Sequence, residues 1–110
     1  MNSPDLRIAY YADSNRELRA LVREHIEQQG PTCSLNHIDV RGVTDFNGIF
    51  AKLDFRGDIS KWDVSKATLM DGMFRECTFN GNISRWKTSN VISMYQMFKE
   101  SHFNGNIAKW

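Results

Sequence analysis

A short α/β solenoid with an N-terminal cap is the fold class this sequence predicts, and two observations predict it. The first is a 24-residue repeat running from Leu35 to Trp110. Phe50, Phe74 and Phe98 keep that step, as do Trp62, Trp86 and Trp110, and Phe55, Phe79 and Phe103. Leu35, Ile59, Ile83 and Ile107 fill a further slot, Val43, Ala67 and Val91 another, and no insertion breaks the count. The second observation is which slots hold their type. The constant ones are apolar, completed by Phe46/Ile49, Met70/Met73 and Met94/Met97; the variable ones are polar, as in Arg56/Asn80/Asn104 and Lys66/Asn90. A coil with one apolar stripe cannot bury it alone, whereas stacked coils join their stripes into one core.

Along the chain, apolar residues alternate at Leu6, Ile8, Tyr10 and Ala12, which predicts a short strand over residues 6–12. Ser14-Asn15-Arg16-Glu17 fits a capping box. Leu18, Leu21, Val22 and Ile26 then form one helical stripe, with Arg16, Arg19, Arg23, Glu24 and Glu27 around the rest of the circumference. Gly30-Pro31 ends that helix. The expected role of residues 1–34 is to cover the first coil with an element that is apolar inside and charged outside.

Within each coil, Phe-x-Gly-x-Ile-x-x-Trp (Phe79 to Trp86) reads as a short extended segment stacking in parallel on its copies. Its glycine slot, Gly57/Gly81/Gly105, calls for positive φ or a close backbone approach. The second half, Ser89 to Phe98, places Val91, Met94, Met97 and Phe98 at steps of three, three and one, which predicts a helical turn or two capped by Ser65 or Ser89. A strand and a short helix per coil is the leucine-rich-repeat class of period. The expected organisation is thus a leucine-rich-repeat-like solenoid of about three coils over 35–110 behind a strand–helix cap at 1–34, in one compact domain.

Phe79-Asn80-Gly81-Asn82-Ile83-Ser84-Arg85-Trp86, with Trp62-Asp63-Val64-Ser65 and Met73-Phe74, resembles the BspA-type leucine-rich repeat family, whose pattern is similar to FNGDISxWDVSxVxxMxxMF. Glu17 to Val22 followed by Leu35 to Asp39 is similar to the leader before such repeats, so the resemblance spans about residues 14–110. The chain departs from the pattern at Val40-Arg41-Gly42-Val43, which lacks the usual serine, and at Lys87-Thr88, which replaces Asp-Val. The resemblance implies protein binding, at a surface or inside the cell.

The remaining features bound the function. The net charge is +1, with −1 over residues 1–34 and +2 over the repeat, so nothing calls for a polyanion or an anionic membrane. The first residues lack the basic start and apolar run of a secretion signal, and no stretch approaches the roughly 18 apolar residues of a membrane span, which favours a cytoplasmic protein. Cys33 and Cys77 suggest neither a disulfide framework nor metal-ligand spacing, and Cys77, in the slot of Leu53 and Ser101, reads as a buried filler. His25, His37 and His102 occupy three unrelated contexts. Asp58, Asp63 and Asp71 become Asn82, Lys87 and Tyr95 one coil later with no nucleophile nearby, so turn and cap roles explain them. The Asn80/Asn104 and Asn82/Asn106 pairs are expected to satisfy turn backbone across coils. No cofactor, metal or catalytic residue is expected.

Two candidate binding features stand out. Lys61, Arg85 and Lys109 form a column of positive charge, too small and too poor in exposed aromatics for a nucleic-acid interface. Arg75 and Lys99 form a second column, neutralised by Glu76 and Glu100. Phe103, Ile107 and Trp110 retain full core character in the last coil, which would present an apolar face to a partner or, in a homodimer, to itself. The expectation is therefore a non-enzymatic protein-binding module working through its repeat surface or C-terminal coil. A small phage-type inhibitor of a host defence complex, such as an anti-CRISPR protein, and a fragment of a bacterial adhesin are the alternatives.

Overall fold

The computed structural model describes residues 10–110. The part of the expected first strand at residues 6–9 lies outside them; Tyr10–Tyr11 forms β1. Helix α1 follows over Asn15–Gln29 and then β2, Ile38–Asp39, which pairs in parallel with β1 so that Tyr10 faces Ile38. The capping box closes with a one-residue offset: Ser14 Oγ accepts from Glu17 N, while Glu17 Oε1 accepts from Asp13 N at 2.9 Å. Gly30, at φ 90°, ends the helix and donates its N–H to Ile26 O at 2.8 Å. Leu18 and Val22 are fully buried in the same apolar cluster as the repeat.

The leucine-rich-repeat-like solenoid is not the fold found. Among the described residues the regular elements are one helix and one two-stranded sheet. Beyond β2 the expected strand and helix of each coil are absent, and the copies of the 24-residue repeat (43–66, 67–90 and the 20 residues 91–110) are built from turns and isolated parallel bridges, Asp45 with Leu69 and Leu69 with Ser93. The reason lies in where the backbone N–H groups go. A helix would direct each to the carbonyl four residues back. Here Phe46, Gly48, Phe50 and Lys52 donate to Leu69, Asp71, Met73 and Arg75 of the next copy at 2.8–2.9 Å. Between them, Ile49, Ala51 and Leu53 donate three residues back to Phe46, Gly48 and Phe50. That alternation forces positive φ at Gly48 (65°) and Lys52 (63°), and again at Gly72, Glu76, Gln96 and Glu100. A segment with two such residues four apart cannot be helical.

The extended half fails as a strand for a related reason: side chains take over its backbone pairing. Phe55 N donates to Thr78 Oγ1 at 2.9 Å, Asn104 N to Asn80 Oδ1 at 2.7 Å, and Lys61 N to Asn36 Oδ1 at 2.9 Å. Its glycines serve close approach. Gly81 and Gly105 lie under the rings of Phe79 and Phe103, where a Cβ would come within 2.6 Å of ring carbons, and at Gly57 a Cβ would collide with Cys33 O.

The aromatic slots pack ring on ring. Phe50 lies on Phe74 and Phe74 on Phe98 with centroids 5.4 and 5.7 Å apart and planes 2° from parallel. The tryptophans stack likewise at 6.4 and 6.2 Å. At the other side of the first copy, Asn15 Nδ2 donates to Asp45 O at 3.1 Å and Asn47 O at 2.9 Å. Those carbonyls are the 24-residue counterparts of Leu69 O and Asp71 O, so one helix side chain takes the place of two backbone donors of a preceding copy.

Candidate functional site

The basic column owes its position to the tryptophans beside it. In each copy the Ile-x-x-Trp segment is a turn closed by Trp N–H on the Ile carbonyl, as for Trp62 on Ile59 and Trp86 on Ile83, both at 3.2 Å. Each indole points inward and donates Nε1–H one copy back: Trp62 to Leu35 O at 2.8 Å, Trp86 to Ile59 O at 3.2 Å and Trp110 to Ile83 O at 3.0 Å. With the tryptophan turned in, the residue before it is turned out, and Lys61, Arg85 and Lys109 are all exposed.

Two shallow clefts separate these cations. One, of about 290 Å³, is lined by Ser60, Lys61, Asn82 and Arg85. The other, of about 520 Å³, lies between Arg85 and Lys109 and has Trp86, Lys87 and Trp110 in its wall. The column and Trp110 thus meet in one place. Phe103 and Ile107 do not line that cleft; they are half-buried against the core. Lys87 is a member that the sequence did not nominate. It stands where the previous copy has Asp63, so the change of sign adds a cation to the same edge. Among the described residues, Lys61, Arg85, Lys87 and Lys109 have no ion-pair partner, whereas Arg41 is bound by Asp39 at 2.9 Å. In the second column, Arg75 meets Glu76 at 3.5 Å.

Asp58 and Asp63, beside this edge, and Asp71, on the ladder with Ser93 and Tyr95, accept backbone N–H groups. Asp58 Oδ1 accepts from Ser60 N at 2.8 Å, Asp63 Oδ1 from Ser65 N at 3.0 Å and Asp71 Oδ1 from Tyr95 N at 2.9 Å. Asn82 and Asn106 do the same for Ser84 and Ala108. The Ser60 N–H bond holds the Asp58 carboxyl below the usual carboxylate range, and the bonds from Ser65 do so for Asp63, which suits permanent acceptors. Both cysteines are free thiols, and burial pushes each up, away from nucleophilic character.

The expectation of three unrelated histidines needs correction. His25 on α1 is buried, and its Nε2 lies 3.0 Å from Nε2 of His37 in the loop before β2. Tyr10 meets both rings edge-on, with centroids 4.7 and 5.4 Å away. Only His102 stands apart. The β1–β2 pairing brings Tyr10 to this place, and no sequence spacing announced it. Among the described residues, no group of three or more His, Cys, Asp and Glu is placed to hold a metal ion, and no helix is long and apolar enough to cross a membrane.

The family model described as "Mycoplasma protein of unknown function, DUF285" matches residues 20–110. The chain belongs to that family. The DUF285 match takes in most of α1 and all three copies, so helix and repeat fall within one family unit. No curated protein and no solved structure matches the chain.

Proposed function

We propose that the protein is a non-enzymatic binding module whose working surface is the edge carrying Lys61, Arg85, Lys87 and Lys109, and that its partner is a protein presenting an acidic segment there. The observation that carries this reading is the row of cations, without an ion-pair partner among the described residues and with at least one in each copy, along a line of clefts whose walls include Trp86 and Trp110. An extended acidic chain would meet a cation at each copy and could lay an apolar side chain against the half-buried Trp110 in the wall of the last cleft. Such a surface needs no catalytic group, and the nearby carboxylates are committed to backbone N–H groups. We further take the repeats to be of the BspA type, on the strength of the Phe-x-Gly-x-Ile-x-x-Trp segments and the family match.

A second reading, a homodimer through the third copy, is favoured by Ile92, Tyr95 and Met94, which are 80%, 70% and 37% exposed close to the half-buried Phe98. The test combines charge reversal with mass. The Lys61→Glu/Arg85→Glu/Lys109→Glu variant, with unchanged circular dichroism, is expected to lose the partner captured by the wild type from its own cell lysate, and the wild type to remain monomeric by light scattering. Capture unaffected by the reversal overturns the basic-edge reading. A concentration-dependent dimer abolished by Ile92→Asp and Tyr95→Asp replaces it with the second.

A further inference from the structure

We propose that His25 and His37 form a two-imidazole site for one divalent late transition-metal ion, of the Cu²⁺, Ni²⁺ or Zn²⁺ class, at the seam between α1 and the repeat. Nothing in the basic-edge reading depends on this site.

Three features of the pair support it. The first is spacing. Two nitrogens each about 2.0–2.1 Å from a common ion, at right-angled or tetrahedral disposition, lie about 2.9–3.4 Å apart, and the two Nε2 atoms are 3.0 Å apart. The ring centroids, at 4.9 Å, are closer than a collinear N–H···N arrangement would hold them, so the lone-pair axes are bent away from the line joining the nitrogens. The second is the tautomer. His25 Nδ1 lies 2.7 Å from Leu21 O, which can only accept, so Nδ1 carries the proton and Nε2 presents a lone pair. A ligating histidine commonly makes this bond to a backbone carbonyl, which fixes ring orientation and raises basicity. The third is rigidity and access. His25 is 4% exposed and Tyr10 packs edge-on against both rings, while His37 faces solvent, through which an ion could enter and keep its remaining water ligands. Without the ion, His37 Nε2–H donates to His25 Nε2. On binding, that proton moves to His37 Nδ1, so both rings ligate as neutral imidazoles. Imidazole donors suit this class of metal. With two protein ligands the site is an open, exchangeable chelate, unlike a closed four-ligand structural zinc centre.

The experiment uses the full-length, tag-free chain and Cu²⁺ or Ni²⁺ as the probe. Calorimetric titration is expected to show one ion per chain, and the Cu²⁺ electron paramagnetic resonance spectrum to carry coupling to two imidazole nitrogens. His37→Ala, at an exposed position that leaves the buried ring in place, is expected to keep the wild-type circular dichroism and weaken binding at least about tenfold, while His102→Ala leaves it unchanged. Equal binding by the wild type and His37→Ala, or loss of binding in His102→Ala alone, overturns the proposal. So does a wild type that binds neither ion, which would leave the pair a plain hydrogen bond.

Discussion

The first two copies of the repeat and the third hold nearly the same residues in the same slots, yet they differ in burial. Phe50, Phe55, Ile59, Phe74 and Phe79 are completely buried, Trp62 and Trp86 nearly so. Their counterparts Phe98, Phe103, Ile107 and Trp110 are half-buried. The second copy is stacked between two neighbours, and the first has the 35–40 segment and α1 on its other side. The third packs against the second. Residue type nominates a position for the core, but a neighbour on each face is what makes it core.

That contrast can be broken first at the tryptophans. Trp86→Ala removes an indole stacked on both sides and its bond to Ile59 O, and is expected to cost about 3–5 kcal/mol. Trp110→Ala, stacked on one side, should cost no more than about half as much, since the energy follows the apolar area removed from water. Urea denaturation of the two variants measures the difference, and equal costs would show that the third copy is as well packed as the second.

The glycines sharpen it next. Gly57→Ala sets a methyl group against the Cys33 carbonyl, a backbone atom that cannot step aside, and is expected to cost about 1–3 kcal/mol or more. At Gly105 the obstacle is the ring of half-buried Phe103, which can swing outward, so Gly105→Ala should fall below about 1 kcal/mol. A change between those two in size is expected on the helix side. Asn15→Ala leaves Asp45 O and Asn47 O without their shared donor, at about 1–2 kcal/mol, and should quicken amide exchange in the first copy before the second. Uniform exchange across both would show that Asn15 is not the group protecting that face.

The parts of this architecture that the sequence displays are those written three times. The period, the apolar slots and the inward tryptophans are legible because each copy repeats them, and α1 because its stripe, capping box and Gly30 agree. The turn-built backbone was hidden by an ambiguity of spacing. Steps of three, three and one from Val91 to Phe98 suit a helix, but they also suit turns that alternate between local and inter-copy bonds. Gly48 and Gly72 take the positive φ that such turns need, but Gln96, Lys52, Glu76 and Glu100 adopt it without being glycine, so no residue type marks the pattern. At the candidate site, the 24-residue step exposes Lys61, Arg85 and Lys109, while Lys87 escapes notice because its slot changes sign. His25 and His37 are invisible as a pair, because one lies on a helix and the other in a loop that only the docking of α1 brings beside it.

The hydrogen bonds that join one copy to the next carry a consequence for how the chain acquires its structure. Those between Phe46, Gly48, Phe50 and Lys52 and the following copy each span 23 residues, the indole bonds span 27, and the reach of Asn15 to Asn47 spans 32. Loop-closure entropy grows only with the logarithm of loop length, so every docking step meets nearly the same entropic barrier, and none must wait for the two ends of the chain to find each other. Any adjacent pair of copies can then serve as a nucleus, and the choice among them falls to local stability. The pair formed by the first two copies, with the most complete burial, is the natural starting point, from which order spreads outward to α1 on one side and to the third copy on the other.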